Sequence, residues 1–178
     1  MRSNQLSYPA IIAVKRVQRY YFFWNHQNFY GKYFHFREKS SNFATMKKER
    51  LYLEYPLTAK SQNLVWEQIG TIHGLERWLA DRIEEEEDNV IALTWGELWA
   101  DHHTLKARIT ENEKPSHIRL RWVDEEDPEA FWEMRIGRSE LTGDLCLFVT
   151  DYALAEDIED LHELWDGNME RLHEVSGL

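Results

Sequence analysis

Residues 156–175, EDIEDLHELWDGNMERLHEV, decide the fold. Ile158, Leu161, Leu164, Trp165, Met169 and Leu172 recur at spacings of three and four, and eight acids occupy other positions. That period predicts a helix with one broad apolar face and one charged face. Such a helix is stabilised mainly by burying its apolar face against another element. Gly167 sits in its interior, where glycine costs about 1 kcal/mol relative to alanine. Either a neighbouring backbone or ligand approaches there or the helix bends, and a bend is the simpler expectation.

The residues upstream supply the covering surface. Leu51, Leu53, Tyr55 and Leu57 alternate with polar positions, as in a strand with one face on a core, and Pro56 suits its end. Ser61 can cap a short helix carrying Leu64, Val65, Gln68 and Ile69, which Gly70 ends. A second short helical piece runs from Ile72 through Trp78 and Leu79. Asp81 to Asp88 is almost purely acidic and reads as a solvated face, with at least two carboxylates close enough to repel. From the turn formers Asp88 and Asn89 onward, strand signals follow at regular intervals: Val90–Trp95, Leu98–Thr110, Ile118–Trp122, Ala130–Ile136 and Leu145–Tyr152. The turns between them are Asn112–Pro115, Asp124–Pro128 and Thr142–Asp144.

This order predicts an α+β fold: a curved antiparallel sheet of about six or seven strands wrapped on a long C-terminal helix, with two short helices after the first strand. A twisted sheet cannot close evenly over one helix, so a gap between them is a candidate ligand cavity. By parity the inward positions carry an unusual weight of indole. Trp78, Trp95, Leu120, Trp122, Trp132, Met134, Leu147, Leu164, Trp165 and Met169 are the expected lining.

Several segments also resemble a known family. Leu75, Trp78, Leu79, Ala80 and Asp81; Trp95, Glu97 and Ala100; Ile118 to Trp122; Glu140 to Asp144; and Leu164, Trp165 and Leu172 are similar to the small bacterial START-like domain proteins. These belong to the helix-grip (SRPBCC) superfamily, with polyketide cyclases, birch-pollen-type allergens and chaperone-ATPase activator homologues. The resemblance spans about residues 47–176. It implies the helix-grip fold and a pocket for a hydrophobic or amphipathic molecule between sheet and terminal helix. No catalytic motif of the superfamily is matched.

Charge divides the chain at Met46. Residues 1–45 carry seven lysines and arginines against one acid, Glu38, and half of the 24 aromatics; residues 46–178 carry 14 basic against 31 acidic residues. The first segment is therefore expected to be a disordered extension or sequence upstream of a start at Met46, and residues 46–178 the START-like domain. A single-strand-binding arm, a transit peptide or an arm docking on its own acidic domain are the other readings.

Several chemistries are disfavoured. One cysteine, Cys146, allows no internal disulfide or CxxC pair and points to a reducing, cytoplasmic setting. No stretch reaches the ~18 apolar residues of a membrane span. The net charge of −11 argues against nucleic-acid binding through the main domain. The glycines fall in neither a GxGxxG nor a Walker spacing. Asp101, His102 and His103 are neighbours whose alternating directions on a strand prevent convergence on one metal. Residues 84–88 lack the glycine and spacing of an EF-hand loop. Cys146 lies in an apolar strand without a local base. No cofactor or metal is therefore expected. Glu133 and Arg135 are expected to face solvent, and only a reversed parity would place them, or Asp101, in the cavity.

Three functions follow in order: a non-catalytic module binding a hydrophobic small molecule, a protein-interaction or co-chaperone-like module with a vestigial pocket that could be a homodimer, and a cyclase-like enzyme using a cavity carboxylate.

Overall fold

The computed structural model describes residues 47–96, 99 and 102–178. Seven strands form one antiparallel sheet: β1 (Glu49–Pro56), β2 (Arg82–Glu85), β3 (Val90–Trp95), β4 (His103–Glu113), β5 (His117–Trp122), β6 (Trp132–Arg138) and β7 (Leu145–Ala153). Their spatial order is β1-β7-β6-β5-β4-β3-β2. Strands β2 to β7 thus make a continuous meander, and β1 pairs with β7 at the far side. Two short helices, α1 (Gln62–Ile69) and α2 (Ile72–Glu76), follow β1, and a long helix, α3 (Ile158–Ser176), closes the chain after a 3-10 turn at Ala155–Asp157. This is the expected helix-grip fold, a curved sheet gripping α3.

Alternation assigns the faces. Ile118 and Leu120 of β5, Trp132, Met134 and Ile136 of β6, and Leu145, Leu147, Val149 and Ala153 of β7 are buried. The register pairs Leu120 with Trp132 and Ile118 with Met134, so these side chains share the face under α3. From α3 itself Leu161, Trp165, Asn168 and Leu172 are buried, one stripe at the helical period.

Polar contacts fix the helix along its length. Tyr55 Oη donates to Asp166 Oδ1 at 2.8 Å and Trp165 Nε1 to Asp151 Oδ2 at 3.0 Å. Near the C-terminal end, Arg77 donates to the Val175 carbonyl and Thr58 to the Gly177 carbonyl, each at 2.7 Å. These two donors satisfy carbonyls a helix end otherwise leaves open, and the Arg77 charge suits the negative end of the helix dipole.

The structure departs from the expected elements in three places. The acidic run contains an edge strand: β2 pairs with β3 and buries Ile83. Its carboxylates are partly compensated, Glu86 by Lys106 across strands and Glu84 by Arg82. Leu64 of α1 is exposed at 60%, and Trp66 takes the buried position beside Val65 and Ile69. Ser61 makes no side-chain cap; Thr71 does so for α2, accepting from Gly74 N at 3.0 Å. A Cβ on Gly167 would meet no neighbouring atom, so no close approach explains that glycine.

The expectations for residues 1–45 and for Glu97, Ala100 and Asp101 fall outside the described residues. Among the described residues no helix is long and apolar enough to cross a membrane.

Candidate functional site

The expected lining residues separate into two groups. Trp122, Trp132 and Trp165 come together between the sheet and α3, with ring centroids 5.5 Å apart for Trp122–Trp132 and 6.2 Å for Trp132–Trp165. Beneath and beside them lie Leu120, Met134 and Leu147, fully buried, while Leu164 and Met169 are half-buried on α3. Trp78 and Trp95 are also buried but serve the segment around α2. Trp78 Nε1 donates to the Gln68 carbonyl at 3.0 Å and Trp95 Nε1 to the Leu79 carbonyl at 2.8 Å. The indole N–H of Trp132 is different: it is buried and meets no acceptor.

Next to this aromatic cluster is a carboxyl that the sequence reading did not single out. Asp151 of β7 is in phase with the inward residues Leu147, Val149 and Ala153, and its partner across to β1 is Leu51. Oδ2 accepts from Trp165 Nε1 and Oδ1 from its neighbour's backbone, Tyr152 N, at 2.7 Å. Burial raises its pKa from 3.8 to about 7, against the lowering effect of those hydrogen bonds and of Lys48; Glu125 pushes it further up. Lys48 and Glu125 form an ion pair of little exposure close by, joining the approach to β1 with the β5–β6 loop. The available signal was parity: in the strand LCLFVTDYA, a charged residue takes an inward position.

A second feature of the inner side is a half-open cleft of about 350 Å³ between the α1–α2 junction and the sheet. Ile72, Leu75, Ile109 and Ile118 give it apolar walls, and Thr71, Glu85 and Asn112 add polar groups. None of the ten expected residues lines it, although Ile118 is the next inward position along β5 from Leu120.

The outer face of the sheet carries an ionic cluster. Arg119 donates to Glu133 through Nε at 2.9 Å and Nη2 at 2.6 Å, and Arg135 Nε reaches the other oxygen at 3.0 Å. Arg119 also bonds Glu111, whose second oxygen is 2.8 Å from His117 Nε2. Glu133 and Arg135 therefore do face away from α3, but Glu133 is only 6% exposed rather than solvated. Burial alone would raise the Glu133 carboxyl; hydrogen bonds from Arg135 and Arg119 outweigh it and hold the pKa low. Donor atoms of Glu111, His117 and Glu133 lie within 4.8 Å of one another, close enough for a cation. Arg119 already bridges both carboxylates, so a metal would have to displace a half-buried guanidinium. The cluster reads as a charge-balanced brace of β4, β5 and β6.

The remaining candidates are quiet. Cys146 is buried; burial and the adjacent Glu54 raise its thiol pKa, which disfavours the reactive thiolate. His103 begins β4 and His102 precedes it.

The comparisons agree with this architecture. A family profile described as a START-like superfamily domain matches residues 45–178, and the chain belongs to that superfamily. A Bacteroides fragilis protein solved by NMR is 36% identical over 73% of this chain and 92% of its own, with a TM-score of 0.49. An AHSA1-like protein from Aeromonas hydrophila is 13% identical, covering 72% of this chain and 94% of its own at a TM-score of 0.56. The Aha1 dimer from Colwellia psychrerythraea is 10% identical, covering 72% and 96% at a TM-score of 0.54. At those identities the last two share the fold. No curated protein matches the chain. Fold and family profile together define a START-like superfamily domain.

Proposed function

We propose that the domain binds a hydrophobic or amphipathic, lipid-like small molecule on the inner side of the sheet and performs no chemistry on it. The observation that carries this reading is the cleft beside Ile72, Leu75, Ile109 and Ile118: the inner face of the sheet is not sealed by the helices. The cleft's lining is apolar and polar in equal measure, which suits an amphipathic occupant better than a purely apolar one. The indoles of Trp122, Trp132 and Trp165, with Leu120, Met134, Leu147, Leu164 and Met169, supply apolar surface to an occupant that enters further, and Trp78 and Trp95 stiffen the wall around α2. A single buried thiol supports a cytoplasmic setting.

Filling the cleft tests this. Ile72 is half-buried in α2, so Ile72→Trp can occupy the space from its rim. Titration with a fluorescent fatty-chain probe should show saturable binding to the natural chain and about tenfold weaker binding to the variant, with melting temperature preserved. Equal affinity in both proteins would remove the cleft from the account.

A second reading, a protein-interaction module or homodimer, is favoured by the outer face. There Tyr52, 55% exposed on edge strand β1, stacks on Phe148, with Arg50 over its ring. An edge strand bearing such an aromatic and cation can pair with another chain. Sedimentation at rising concentration decides this: a dimer lost on Tyr52→Glu supports it, and a strict monomer removes the homodimer.

A further inference from the structure

Among the described residues, the interior holds a polar group that packing does not explain. Trp132 is 2% exposed, yet its Nε1–H has no acceptor. An unmet buried donor costs about 1–3 kcal/mol, and native interiors rarely leave one without a use. The neighbouring donor, Trp165 Nε1–H, is already satisfied by Asp151 Oδ2.

Strand register brings the unmet donor and this carboxyl together. β6 and β7 pair Met134 with Val149 and Glu133 with Thr150. One step further along the same register sets Trp132 opposite Asp151, both on the inner face, where cross-strand side chains are neighbours. Trp165 from α3 spans the pair, its ring 6.2 Å from that of Trp132 and its N–H on Asp151. Each carboxyl oxygen uses one lone pair, on Trp165 or on Tyr152 N, and keeps acceptor capacity. A donor without a partner and a carboxyl with spare acceptor capacity, at facing positions of this register on the inner side, match a hydroxyl, which accepts through oxygen and donates through hydrogen.

We propose that Trp132 Nε1–H and the Asp151 carboxyl form the polar anchor of the interior, selecting an apolar molecule with a neutral hydroxyl head group over one with a carboxylate head. This rests on the binding function proposed above and adds the ligand's class. A carboxylate could accept from Trp132 but would stand against Asp151, and two carboxylates sharing a poorly solvated site repel. The nearby charges do not reverse this preference. Lys48 is engaged with Glu125, and Asp157 with its neighbours Glu156 and Asp160 also lies within reach of Lys48.

The test compares 1-dodecanol with dodecanoate at pH 8 by competition against a fluorescent probe, using the full chain, Trp132→Phe and Asp151→Asn. The natural chain should prefer the alcohol by about tenfold or more, the discrimination expected when a buried polar pair is matched rather than opposed. Trp132→Phe keeps an aromatic ring but removes the donor, and should weaken alcohol binding by about tenfold. Asp151→Asn keeps an acceptor for Trp165 while removing the charge, and should raise dodecanoate affinity so that the preference narrows. Equal affinity for the two ligands in the natural chain, or an unchanged preference in Asp151→Asn, overturns the anchor while leaving the binding function standing. Failure of both ligands and of the probe to bind overturns the binding function and the anchor with it.

Discussion

Asp151 shows how much one inward charge alters the behaviour of the domain. Its carboxyl ionises near 7 when folded and near 3.8 when free, so between those values the folded chain holds the extra proton. Its contribution to stability is therefore full below the free value, is lost as pH rises towards 7, and stays lost above. Asp151→Asn removes this dependence. The variant's melting temperature relative to the natural chain should climb between pH 4 and pH 7 and then level off; a flat difference would contradict a raised carboxyl. Glu133 behaves in the opposite sense, because its pKa is lowered and its ion pairs stabilise above the usual carboxylate range. Glu133→Gln should cost about 2 kcal/mol at pH 7, the value of charge-assisted hydrogen bonds, with the deficit shrinking in acid. Denaturant unfolding at two pH values checks both sign and size. Parity made Glu133 legible in outline, and the same signal at Asp151 went unread. Parity put Glu133 and Arg135 on the outer face, but sequence alone does not reveal that Arg119 from β5 and Arg135 from its own strand both cover Glu133.

Among the elements, α3 was the most legible, because nineteen residues repeat one period and only a curved sheet could bury its face. Its weak point is equally plain. Gly167 is exposed, and a Cβ there would meet nothing within 4 Å. Gly167→Ala should raise stability by about 1 kcal/mol, seen as a higher melting temperature, since it adds helix propensity without a clash. A loss of stability would mean that α3 depends on a distortion at this point. Strand β2 was the least legible element. Its sequence, Arg82–Glu85, offers a single apolar side chain, Ile83, so no alternation announces it. Its form comes from outside: backbone pairing to β3 and cations on β4, with Asp88 and Asn89 in the left-handed region that a tight two-residue turn requires. Long-range partners of this kind leave little trace in local sequence.

At the scale of the whole molecule, the order of elements apart from β2 was readable because most strands alternate and the turns between them are marked, whereas the opening in the interior was not. Inward parity identified Trp122, Trp132 and Trp165, and these do meet between sheet and helix. The cleft lies instead where α1 and α2 fold back over β4 and β5, and that position depends on how two short helices settle against a sheet edge. Gly74 permits this closeness, since a Cβ there would fall 2.0 Å from the Glu67 carbonyl oxygen. The central claim is that this inner side receives a small amphipathic molecule. Native mass spectrometry of the full chain, before and after incubation with 1-dodecanol, tests it most directly. The account predicts a one-to-one complex that is lost on denaturation, either with the added alcohol or with a molecule carried from the cell. A chain that stays bare in both samples would contradict it.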